Sequence, residues 1–174
     1  MPALSTEEQK FMALSGLRTW CVAAVQQVER INAVRENQLK KRTSDSSVPF
    51  NAERHFFIVA AWKVFEHIDW ASQLSMFEPS LFDKIEKFRA DTKLLRNKNE
   101  HVTEYFSGAK SLSSFEYMTI DGGRTDASAT TETRIADRLD WVAFAQTTQA
   151  LLATLPLAYW PSSAGANSGE FVWV

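Results

Sequence analysis

Apolar positions recur at helical spacing along most of the chain. Ser5-Thr6-Glu7-Glu8 opens the first run with capping-box spacing, a Ser followed three residues later by a Glu. Phe11, Leu14, Cys21, Val25, Val28 and Ile31 follow at steps of three, four or seven, which predicts one helix from about Thr6 to about Asn37. Lys40 to Phe50 is rich in Lys, Ser and Thr and contains Pro49; it reads as a polar loop whose basic start suits a helix carboxyl end. Asn51 is the candidate cap of a second helix reaching about Leu74. Its segment from Phe56 to Trp62 is apolar on nearly every side, so this helix is expected at the centre of the packing. Pro79 and Ser80 mark a third start. From there Leu81, Ile85, Phe88, Thr92, Leu95, Asn99, Val102 and Phe106 step alternately by four and three, a seam suited to shallow left-handed packing, and Gly108 stops it.

Phe115 to Ile120 departs from this rhythm. The residues are β-prone and the turn signal Asp121-Gly122-Gly123 follows, which predicts a short hairpin. Thr125 to Thr133 has little pattern and reads as loop. Asp137 or Asp140 begins a fourth helix through Trp141, Phe144, Thr148, Leu151 and Leu155, and Pro156 ends it. Residues 161–174 form a small, polar tail until Phe171-Val172-Trp173-Val174, which either docks on the body, adds a strand to the hairpin or meets a partner. The expected fold class is all-α: a mainly antiparallel four-helix bundle, one domain over residues 1–160, with a small β-hairpin inserted at about 112–134 before the last helix.

Composition narrows the function classes. The 174 residues suit one domain, and 45% hydrophobic with 23% charged residues excludes disorder throughout. One cysteine, Cys21, excludes an internal disulfide scaffold and fits a reducing compartment. Nineteen basic against 21 acidic residues argue against a general nucleic-acid coat or a polybasic membrane binder, and leave room for a local basic site. No apolar run has the length of a membrane span, and the start turns acidic at Glu7-Glu8, unlike a signal peptide. The expectation is a cytoplasmic protein with no membrane partner.

The chemistry concentrates in Lys93 to Tyr105. At helical spacing Arg96 and His101 stand about 140° apart, with Asn97, Glu100 and Glu104 in the arc between them. One reading is a solvated face whose i,i+3 and i,i+4 pairs contribute only tenths of a kcal/mol. The other starts from a resemblance. Arg96-Asn97-Lys98-Asn99-Glu100-His101 resembles the signature of HEPN domains, an Arg followed by four to six residues and a His, with a polar residue, here Asn97, after the Arg. The longer string Arg-Asn-x-x-Glu-His-x-x-Glu-Tyr is similar to that of a group of bacterial HEPN-like proteins. The likeness spans residues 6 to 155, with its specificity in the motif; the Phe115–Thr133 insertion is not a general feature of the family.

That resemblance implies a homodimer in which two Arg/His sets face one another and cut RNA without metal, through the ribose 2′-hydroxyl, in a bacterial defence or toxin–antitoxin setting. Arg96, His101 and Asn97 take the catalytic positions, and Lys93, Lys98, Glu100 and Tyr105 are the candidate substrate contacts, with Glu100 also a candidate to orient His101. The side chains suit the chemistry: a neutral imidazole can take a hydroxyl proton, and a guanidinium can grip phosphate oxygens in a fork. The alternative function is a non-catalytic helical module that binds a protein partner or a nucleotide through the same arc. No cofactor and no metal site are expected, because paired Glu-x-x-His motifs and HExxH are absent and His101 with Glu104 makes only half a site. His55 and His67 lie beside aromatics and read as packed or capping groups. Cys21, in Trp20-Cys21-Val22, reads as core.

Overall fold

The computed structural model describes residues 3–41, 47–101, 104, 107, 116–118, 124–126, 130–131 and 133–158. They are mostly helical, with short antiparallel strands. Helix α1 spans Thr6–Lys41 and α2 spans Ser47–Gln73. Helix α1 runs past its expected end and α2 begins before its expected start, so the polar stretch at Lys40 and at Ser47–Phe50 is helical instead of loop. Gln38 to Lys41 are good helix formers, and Pro49 falls in the first turn of α2, where its missing N–H has no partner to lose. The capping box forms: Glu8 N–H donates to Ser5 Oγ at 3.3 Å, and Ser5 N–H donates to Glu8 Oε2 at 2.8 Å.

The third helical stretch is segmented rather than continuous. A 3-10 turn at Pro79–Phe82 leads into α3 (Asp83–Glu86) and then, past Lys87 and Phe88, α4 (Arg89–Glu100). The chain stays right-handed throughout, with Phe88 N–H bonded to the Ile85 carbonyl at 3.0 Å in the tighter i→i+3 manner. The expected seam survives the segmentation. Ile85, Thr92 and Leu95 are buried and Leu81, Phe88 and Asn99 are half-buried, while Val102, Phe106 and Gly108 lie outside the described residues.

Between α4 and the last helix come the strands. β1 (Glu116–Met118) pairs antiparallel with β2 (Arg124–Asp126), as the hairpin reading expected, and the Asp121–Gly123 turn lies outside the described residues. The reading of Thr125–Thr133 as loop is corrected: it contains the end of β2 and β3 (Thr130–Thr131), which pairs with β4 (Arg134–Ile135) and through it β5 (Leu139–Asp140). Ala136 and Asp137 both have φ of 53°, and Arg138 N–H closes the turn on the Ile135 carbonyl at 3.0 Å. Three residues, Ala136 to Arg138, join the strands, and the two in left-handed backbone suit the strand twist without the Asn-Gly pair that usually advertises such a turn.

Asp140 ends β5 and caps α5 (Trp141–Thr154), accepting from Val142 and Ala143 N–H at 3.0 Å each. Of the two candidate starts, Asp140 is therefore the cap. Arg18 of α1 donates to the Leu155 and Pro156 carbonyls at 2.9 and 3.2 Å, satisfying groups that the end of α5 leaves open. Helix α1 packs on α2 and α5, α2 also packs on α4, and α3 touches α5. Phe144 of α5 joins these layers, edge-on to Phe57 and Phe65 of α2 and to Phe88, with ring centres 5.6, 6.1 and 5.4 Å away. Phe57, Ile58, Ala60 and Ala61 are buried, so α2 is central on most of its circumference, but Phe56 is 57% exposed. No helix among the described residues is long and apolar enough to cross a membrane.

Candidate functional site at the end of helix α4

Helix α4 carries the polar cluster on its last turns. Its seam residues Thr92 and Leu95 are held inward, which leaves Lys93 and Asn97 exposed and Arg96 partly exposed. Arg96 Nε lies 2.8 Å from Glu100 Oε1, one turn on, and its Nη1 donates to Asn97 Oδ1 at 3.3 Å. Across from it on α2, Glu66 accepts from Trp62 Nε1 at 2.7 Å and Lys63 Nζ at 2.5 Å. Burial works to raise the Glu66 carboxyl, but Lys63, Trp62 and the charge of Arg96 together hold it below its ordinary value.

His101 stands where α4 ends. Its backbone has left the helical region (φ −105°, ψ 17°), although its N–H still reaches the Asn97 carbonyl at 3.2 Å. Glu104 N–H then donates to the His101 carbonyl at 2.9 Å, a tighter turn that brings the Glu104 side chain back over the ring. His101 Nδ1 and Glu104 Oε1 are 2.6 Å apart, and both side chains are more than two-fifths exposed. Glu100, which the linear order sets beside His101, is engaged by Arg96 instead.

Lys98 departs most from its expected place. It is only 7% exposed, because it follows Leu95 by one short turn and is carried to the inner side of α4. Burial first, and the charge of Arg138 second, push its ammonium below the ordinary lysine value. Arg138 reaches α4 from the β4–β5 turn, with Nη1 3.2 Å from Asp91 Oδ1. Apart from the exposed Lys93, the described candidate residues thus fall into three groups: Arg96 with Asn97 and Glu100, His101 with Glu104, and Lys98 with Arg138. Tyr105 lies outside the described residues.

Sequence reasoning set Glu104 on one face with His101 but gave the orienting role to Glu100, and it missed two neighbours of the cluster. Glu66 and Arg138 carry no local signal, since only packing of α2 and of the β4–β5 turn brings them to α4. Of the other chemistry-bearing residues, His55 and His67 are half-buried and Cys21 lies in the core. His67 Nδ1 is 2.9 Å from the Lys63 carbonyl, and its ring packs against Gly16 of α1. The Cys21 thiol is fully buried, and burial pushes it up to about 12, far from the thiolate that nucleophilic chemistry needs. Among the described residues no group of three or more His, Cys, Asp or Glu is gathered to hold a metal ion.

The chemical capacity of the cluster is that of a cation beside a half-exposed imidazole. The guanidinium has more N–H donors than its two contacts occupy, so it can still grip an anionic oxygen. An imidazole bonded through Nδ1 offers Nε2 for proton transfer. Comparison with protein-family models, curated proteins and solved structures finds no match to this chain.

Proposed function

We propose that the chain is a HEPN-like domain that cuts RNA without a metal ion, using Arg96 and His101, with a second copy of the chain completing the site. The finer fold reading that accompanies it is a mainly antiparallel four-helix bundle acting as a homodimer in the cytoplasm. The observation that supports it is the placement of both side chains on the last turns of α4. Arg96 and His101 are 33% and 44% exposed, outside the core that the same helix helps to build. In the reaction the ribose 2′-oxygen bonds to phosphorus while the bond from phosphorus to the 5′-oxygen breaks. Neutral His101 takes the 2′-hydroxyl proton, solvent returns one to the 5′-oxygen, and Arg96 holds the phosphate oxygens as their charge grows.

The test is cleavage of single-stranded RNA in excess chelator. Arg96→Ala and His101→Ala should each lower the rate at least about a hundredfold, with circular dichroism and melting unchanged, and the products should end in cyclic phosphate. Full activity in His101→Ala, or no cleavage by dimeric wild type, overturns the reading.

A second reading, a non-catalytic module, draws on a different observation. Arg96 is already engaged by Glu100 and helps to hold down the carboxyl of Glu66, which is how a residue that only ties α4 to α2 behaves. On that reading Arg96→Ala lowers melting and no RNA is cut.

A further inference from the structure

Two partly or fully exposed carboxylates flank His101 in the chain, Glu100 just before it and Glu104 three residues after, and the fold gives them different work. Glu100 Oε1 sits 2.8 Å from Arg96 Nε, whereas Glu104 Oε1 sits 2.6 Å from His101 Nδ1. We infer that Glu104 is a positioning residue for His101, a role that rests on the ribonuclease reading above: it accepts a hydrogen bond from Nδ1–H and so fixes Nε2 as the nitrogen that receives the proton from RNA.

The backbone supports this division. Because α4 ends at Glu100, the chain at His101 tightens to an i→i+3 turn, and that turn sets the Glu104 carboxylate beside the ring. A neutral imidazole carries one N–H, and which nitrogen holds it is decided by the acceptor the other atoms offer. His67 provides the contrast within the same molecule. Its Nδ1 faces a backbone carbonyl, and its half-buried ring is pressed on Gly16. His101 has instead a charged side-chain acceptor and a ring nearly half open to solvent.

An exposed pair of this kind contributes little to stability, so its value lies in the tautomer and not in holding the fold. Long-range 15N–1H NMR of the three histidines in the full chain, at a pH where they are neutral, tests this directly, with His101→Gln identifying the resonances. In wild type His101 should be predominantly the Nδ1–H form. Glu104→Ala should move it toward the Nε2–H form, Glu104→Asp should restore part of the wild-type pattern, and Glu100→Ala should leave the tautomer where it was. Unchanged ring nitrogens in Glu104→Ala, or a shift in Glu100→Ala instead, overturn the assignment. In the chelator assay Glu104→Ala should lower kcat about tenfold or more with KM little changed. If wild type cuts no RNA, the ribonuclease reading falls, and the NMR result still decides whether Glu104 governs the ring.

Discussion

Gly16 has no side chain at the point where α1 meets the His67 ring of α2. A methyl group built there would overlap Cδ2 and Nε2 of that ring, and the ring cannot swing aside without giving up the bond between Nδ1 and the Lys63 carbonyl. Two effects of Gly16→Ala oppose each other. Alanine is the better helix former by about 1 kcal/mol, while forcing a methyl into filled space costs about 1–3 kcal/mol. The clash is with a packed aromatic, so the clash wins. The expected outcome is a net loss of about 1–2 kcal/mol, read in thermal unfolding as a melting temperature lower by about 3–6 °C. Adding His67→Ala should make the Gly16→Ala step nearly neutral, because the two effects share one contact. The expectation that His67 is a packed group holds here for a reason no single segment displays: the empty place it fills lies on another helix.

At the scale of elements, the signals that worked are those that act within a few residues. The Ser5/Glu8 box, Pro156 after α5 and the four-and-three seam of α4 depend on local backbone geometry, and each is found where the pattern put it. The start of α5 shows where local reading stops. Asp137 and Asp140 were equal candidates, and strand pairing decides between them. Ile135 pairs with Leu139 and Arg134 with Asp140, which places Asp137 at positive φ inside the turn and Asp140 at the helix entrance. Asp140→Ala should therefore cost about 1 kcal/mol, a melting temperature lower by about 2–4 °C, while Asp140→Asn keeps most of the stability because its side chain can still accept the two N–H groups. The break between α3 and α4 was not legible for a related reason. Its residues are ordinary helix formers, and nothing in their order marks the point where Phe88 meets Phe144 of α5.

For the whole molecule, Phe144 is the residue on which the layers converge, since it touches α2 twice and the start of α4 once. Phe144→Ala removes a fully buried ring and should cost about 3–5 kcal/mol, a large part of the roughly 5–15 kcal/mol that holds a typical domain. Denaturant titration should show the midpoint falling with the slope unchanged, and Phe144→Leu should recover more than half of the loss. A residue so placed ties the candidate site to the core, because α4 keeps its last turns at the surface only while its seam stays packed against α2.

The sequence by itself determined what depends on neighbours in the chain: helical periodicity, the α1 cap, the end of α5, the presence of a hairpin, and the concentration of polar chemistry between Lys93 and Tyr105. Those features follow from 3.6-residue spacing and from hydrogen bonds that close within one turn. Only the tertiary structure decided that Glu66 of α2 faces Arg96, that Arg138 takes Asp91, that Lys98 is buried near Arg138, and that Gly16 makes room for His67. Such choices depend on where separate segments meet, and the path of the backbone between them is not written in any one stretch of residues.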